Sequence, residues 1–143
     1  MKRIYSIFLL LTLFACDSSL QILSTKKQTI IPGIQTVKPY TKYLVEVQVN
    51  SDKTLKVDSV LVFEKEKSCR KATHFIKDAI SHNVVSEVTG SGRYVIDATV
   101  KESSAEAEGC QGAVNKIIVF YKLNKRTATI EIATFKEETV RKR

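Results

Sequence analysis

The stretch Tyr43-Leu44-Val45-Glu46-Val47-Gln48-Val49 sets Tyr43, Val45, Val47 and Val49 at alternate positions, with Leu44, Glu46 and Gln48 between them. A period of two puts the first set on one face of an extended chain and the second on the other, the pattern of a half-buried β-strand. Three of the four inner positions are valine, whose branched Cβ suits a pleated surface better than a helix. The same alternation returns on both sides. After the polar turn Asn50-Ser51-Asp52-Lys53, residues Leu55, Val57, Ser59, Leu61 and Phe63 occupy alternate places. Val60 and Val62 imply burial on both faces toward the end of that run. The two runs read as a hairpin.

Farther out, Gly90-Ser91-Gly92 marks a turn, and Tyr94, Ile96, Ala98 and Val100 alternate with Val95, Asp97 and Thr99 in a third strand. Lys101 to Gly112 is polar, acidic and built of small residues, the composition of a surface loop. Ile117 to Leu123 and Thr127 to Phe135 are the last apolar runs, joined by Asn124-Lys125-Arg126 in a tight hairpin. A further strand is expected near Ile30 to Val37. Ser68 to His82 reads two ways. Ala72, Phe75, Ile76, Ala79 and Ile80 have helical spacing, with Ser68 as an N-cap, whereas Thr73, His74, Phe75 and Ile76 also suit a strand.

These elements predict a mainly β domain, an antiparallel two-layer sandwich with or without one short helix. The alternative is an α+β arrangement in which Ser68 to His82 covers one antiparallel sheet as a helix. In layout the chain resembles the Ig-like domains common in small lipoproteins of the Bacteroidota. It has no Trp, and so lacks the Cys-Trp-Cys hallmark of antibody domains.

The amino terminus is of a different kind. Met1-Lys2-Arg3 carries two positive charges, Ile4 to Leu13 is apolar, and Phe14-Ala15-Cys16 follows. A helix over the apolar run would be about 15 Å long against a bilayer core of about 30 Å, too short for a permanent span. A basic start, a short apolar run and a cut site are the parts of a secretory signal. Leu13, Ala15 and Cys16 resemble the lipobox of bacterial lipoproteins, with Phe14 where small or β-branched residues are usual. That resemblance implies a diacylglyceryl group on the Cys16 thiol, cleavage before Cys16, and acylation of the new amine by a long chain of the palmitate type. It also implies a location on the periplasmic side of a bacterial membrane or on the cell surface. Asp17, next to that cysteine, resembles the inner-membrane retention signal of some enteric bacteria.

The expected organisation is therefore a signal over residues 1–15, a flexible tether over 16–28, a β-rich domain over 29–138 and a basic tail over 139–143. Removing 15 residues from 143 leaves 128, enough for one core. Lys2 and Arg3 fall in the signal, so 21 basic side chains remain against 15 acidic. The basic excess gathers beyond Gln111, where Lys116, Lys122, Lys125, Arg126, Lys136, Arg141, Lys142 and Arg143 face Glu131, Glu137 and Glu138. Most of these alternate with apolar residues as on a solvated strand face, so a nucleic-acid partner is not expected.

With Cys16 given to lipid, Cys69 and Cys110 remain as a candidate disulfide in an oxidising compartment. Neither lies in a CxxC. His74, Asp78 and His82 would share a helix face, but three or four ligands at metal spacing are absent from the pattern. Thr89-Gly90-Ser91-Gly92 lacks the lysine and the length of a phosphate-binding loop. Glu102, Glu106 and Glu108 follow no calcium-loop code. Tyr94, Tyr121 and Phe135 stand near basic residues, yet aromatics at strand alternation are ordinary core. No Gly-x-Ser-x-Gly elbow occurs and no catalytic set can be assembled. The expectation is a non-enzymatic envelope protein with no cofactor and no metal, held at the membrane by lipid and contacting an unidentified envelope protein or glycan. The alternative is an envelope inhibitor or immunity-type protein that blocks an enzyme.

Overall fold

A computed structural model describes residues 20–50, 53–65, 68–108, 110 and 114–143. In chain order the strands are β1 (Leu20–Ile31), β2 (Tyr40–Val49), β3 (Thr54–Lys65), β4 (Ser68–Lys71), β5 (Thr73–Asp78) and β6 (Val84–Val85). They continue as β7 (Val88–Thr89), β8 (Gly92–Val100), β9 (Glu106–Ala107), β10 (Lys116–Leu123), β11 (Arg126–Ile132) and β12 (Lys136–Arg141). One sheet has the order β12-β1-β2-β8-β5-β6, the other β11-β10-β3-β4-β9, with β7 paired to β3. The fold is a two-layer β-sandwich.

Alternation decides which faces meet. Tyr43, Val45, Val47 and Val49 of β2 and Ile96, Ala98 and Val100 of β8 turn inward, against Leu55, Val57, Val60 and Val62 of β3 and Ile117 and Val119 of β10. Full burial of each valine, leucine or isoleucine among them contributes roughly 1.5–3 kcal/mol. The sandwich interior is thus built almost wholly of branched aliphatics. Tyr43 adds an edge-on contact with Phe135, ring centroids 5.2 Å apart.

Several expectations change. Ser68 to His82 is not a helix: β4 lies in one sheet and β5 in the other, with Ala72 at the crossing, where its amide donates to the Val60 carbonyl at 2.9 Å. The helical spacing is divided between destinations, since Ala72 and Ile76 are buried while Ile80 is 85% exposed. Thr73, His74, Phe75 and Ile76 form four of the six register pairs between β5 and β8, and the open edge of that sheet overrides a weak helical preference.

Of the tether expected over 16–28, residues 20–28 are strand and the rest lie outside the described residues. Residues from Leu20 onward belong to β1, which pairs antiparallel with β2 from Leu20↔Val49 to Ile30↔Tyr40. Its polar, aperiodic sequence reflects an edge-like strand with a register shift between Ile22 and Ser24. The strand expected near Ile30 to Val37 accordingly ends at Ile31. The basic tail of 139–143 is also revised: Thr139, Val140 and Arg141 complete β12, parallel to β1 through Thr29, Ile30 and Ile31. The β12 pairing makes that sheet mixed rather than purely antiparallel.

The two runs flanking Asn50 and Lys53 do not pair as a hairpin. Both edges of β2 are taken, by β1 and β8, so β3 crosses to the opposite sheet and the two strands meet face to face. In β3 the residue opposite Phe120 is Ser59 and the residue opposite Tyr121 is Val57. Asp58 is the extra residue of a bulge, which reverses parity. Leu55 and Val57 face inward before it and Val60 and Val62 after it, leaving Leu61 and Phe63 on the outer face.

Candidate functional site

Cys16 and the signal expected over residues 1–15 lie outside the described residues. The next landmark is the start of β1 at Leu20, four residues on. Cys69 and Cys110 are joined in a disulfide, with Cα atoms 5.8 Å apart, within the usual bridging range. Cys69 is buried in β4 and pairs with Ala107 of β9. The bridge therefore fixes the far side of the acidic loop to the edge of its sheet.

The other sequence candidates do not converge. His74 faces the interior of β5, its Nε2 3.2 Å from the Val57 carbonyl oxygen. Asp78 accepts the amides of Ile80 at 2.9 Å and Ser81 at 2.8 Å, closing the turn after β5. Those two backbone hydrogen bonds, Ser81 first, hold the Asp78 carboxyl below its ordinary range. His82 has a φ of 61° in the same turn. Among the described residues no group of three His, Cys, Asp or Glu side chains could hold a metal ion. Gly90, with φ of 87°, makes the turn into β8.

In the acidic loop, Glu102 meets Lys38 at 2.5 Å, and that contact holds its carboxyl below the usual range. Glu106 lies 4.0 Å from Arg70, whose guanidinium also donates to the carbonyls of Lys101 and Glu102. Glu102 and Glu106 thus have separate cationic partners. Tyr94, Tyr121 and Phe135 pack against the buried cluster as core aromatics.

Two clefts sit at opposite ends of the sandwich. The smaller, about 220 Å³, is lined by Thr41, Glu64, Lys65, Ser68, Arg70 and Lys101 beside the disulfide. The larger, about 940 Å³, lies at the β10–β11 turn and is lined by Lys53, Tyr121, Leu123, Lys125, Arg126 and Thr127.

One arrangement has no counterpart in the sequence expectations. Asp97 is on the outer face of β8, between Leu44 of β2 and Phe75 of β5 in register, yet its side chain is only 2% exposed. Lys42 and Lys77 each place Nζ 3.2 Å from Oδ2, while Oδ1 has no hydrogen-bond partner among the described residues. Lys77 also lies 4.7 Å from the Phe75 ring centroid. Two lysine stems and two apolar side chains cover the carboxylate, as expected of long side chains that bury their methylenes and keep their charge near water. Alternation alone placed Asp97 outward; its cover depends on β5, the segment with two readings.

No known protein family, curated protein or solved structure matches this chain.

Proposed function

We propose that the chain is a lipid-anchored protein of the bacterial cell envelope, non-enzymatic, acting by binding or as a structural element through its β-sandwich. The observation that carries this reading is the cysteine count. The chain has three cysteines, Cys69 and Cys110 are bonded to each other, and the remaining one, Cys16, closes a basic-then-apolar segment of signal type. A disulfide of this kind suits a compartment outside the cytoplasm. Candidate chemistry elsewhere is already engaged: His74 with a backbone carbonyl, Asp78 with its turn, Glu102 with Lys38.

Substituting Cys16→Ser in the producing cell tests the anchor. The wild-type chain is expected in the membrane fraction with a Cys16 peptide heavier by its acyl groups, and the variant is expected to lose both properties. Membrane retention of the variant at the wild-type level refutes the reading.

The inhibitor reading is less well supported. Its contact loop would present Glu102, Glu106 and Glu108 to a basic enzyme, but Glu102 and Glu106 already face Lys38 and Arg70.

A further inference from the structure

We infer that the end of the sandwich where β1 begins is a docking face for a bilayer surface rich in acidic phospholipid. The inference rests on the Cys16 anchor proposed above. Leu20 lies four residue steps after Cys16, and at no more than about 3.6 Å each these span at most about 14 Å. A strand of nine or ten residues is about 30 Å long, so the anchor brings one end of the sandwich to the membrane and leaves the other beyond reach.

Register identifies that end. Leu20 pairs with Val49, Val49 with Gly92, and Leu55 with Leu123, so residues 79–83, the Gly90 turn and the Asn124-Lys125 turn are grouped there. Its chemistry suits headgroups. Lys122, Lys125 and Arg126 are exposed, and the last two line the 940 Å³ cleft. Ile80 is 85% exposed in its turn, and Ile22 and Leu23 are 43% and 46% exposed where β1 is paired on its β2 side alone, since β12 joins only from Lys26 onward. The acids at this end include Asp78, held by the amides of its own turn, and Glu87. Basic side chains attract acidic headgroups within about a Debye length of the surface, and branched aliphatics enter the boundary beneath them.

The test uses the native acylated chain, reconstituted in vesicles of phosphatidylcholine alone or mixed with phosphatidylglycerol, with hydrogen exchange read by mass spectrometry. Residues 79–83 and 124–127 are expected to exchange on the order of tenfold more slowly on the mixed vesicles, while residues 101–105 at the opposite end exchange equally on both. A K125E/R126E variant should lose the difference, as should raising the salt to about 1 M, where the Debye length is about 3 Å. The mass of the Cys16 peptide, measured on the same sample, separates the two claims. Acylation without protection at 124–127 overturns the docking face and leaves the anchor standing. Absence of acylation overturns both. Protection that ignores phosphatidylglycerol, or that rises with protein concentration, assigns the face to a second copy or to apolar contact alone and overturns the inference.

Discussion

At the residue scale, Asp97 is, among the described residues, a buried carboxylate with one oxygen unpartnered. A carboxylate removed from water needs partners for both oxygens, and here Oδ2 has two lysines while Oδ1 has none. Lys42 and Lys77 keep 26% and 30% side-chain exposure, so each can rehydrate if the carboxylate is lost. A leucine at 97 would match the Leu44 and Phe75 surroundings with no polar atom to satisfy, whereas an asparagine would keep the shape, lose the charge and leave a covered amide. Asp97→Asn is therefore expected to lower unfolding free energy by about 1–2 kcal/mol, and Asp97→Leu by less. Urea midpoints of the two variants check this; a leucine variant as unstable as the asparagine one contradicts it. That Asp97 points away from the core was legible in the period-two pattern around Ile96 and Ala98. Its burial was not, because the cover comes from side chains 20 or more positions away in sequence.

At the element scale, legibility followed the strength of the local pattern. β2 and β8 were readable because each presents an unbroken alternation, and the β10–β11 hairpin because two apolar runs flank a polar turn; Gly90 before β8 and Asn124 between β10 and β11 adopt positive φ of 87° and 57°. β1 was not, because LQILSTKKQTII has no regular period and is held by its neighbours rather than by its own preference. The segment after Ser68 reads two ways for a related reason: two short strands in different sheets, joined at Ala72, imitate helical spacing. The doubled apolar signal at Val60 to Phe63 was visible as burial on both sides, but only the pairing with β10 reveals the bulge that produces it. At the opposite edge, β9 has two residues and pairs with β4 at Cys69↔Ala107 and Arg70↔Glu106. Two register pairs cannot hold such an element against chain entropy, so the disulfide must do so. Closing a 41-residue separation contributes about 4 kcal/mol in the chain-entropy view. A Cys69→Ser/Cys110→Ser double variant is expected to lose about that much in denaturant unfolding and to show fast amide exchange at Ala107. Unchanged exchange at Ala107 would assign the order of the loop to Arg70 and its carbonyl contacts instead.

At the scale of the whole molecule, the sandwich was legible and its wiring was not. Apolar alternation states that two faces must meet, but it does not state which strands share a sheet. The Asn50–Lys53 connection fits a hairpin or a crossing equally well, and the occupied edges of β2 decide for the crossing. The largest consequence is at the termini. β12 lies parallel to β1 over six register pairs, from Lys26↔Lys136 to Ile31↔Arg141. Among the described residues the last strand therefore covers the first, and the amide of Lys142 extends the ladder by donating to Ile31 at 2.9 Å. Lys26 and Gln28 both reach Glu138, the former at 3.6 Å and the latter at 3.0 Å, and the Gln28 bond is the first cause of the lowered Glu138 carboxyl. On its free side β12 reads KEETVR, a charged composition that discourages pairing with another chain. Removal of residues 136–143 would uncover the ladder groups of Lys26 to Ile31 along an edge next to buried Ile30. With a net contribution of about 0.5–1.5 kcal/mol for each lost hydrogen bond, the truncated chain is expected to be less stable by roughly 3 kcal/mol or more. It should also self-associate, because the new edge lacks the glutamates that guarded the old one. Sedimentation velocity alongside thermal unfolding checks both effects, and a monomeric truncated chain with unchanged midpoint would show that β12 guards nothing.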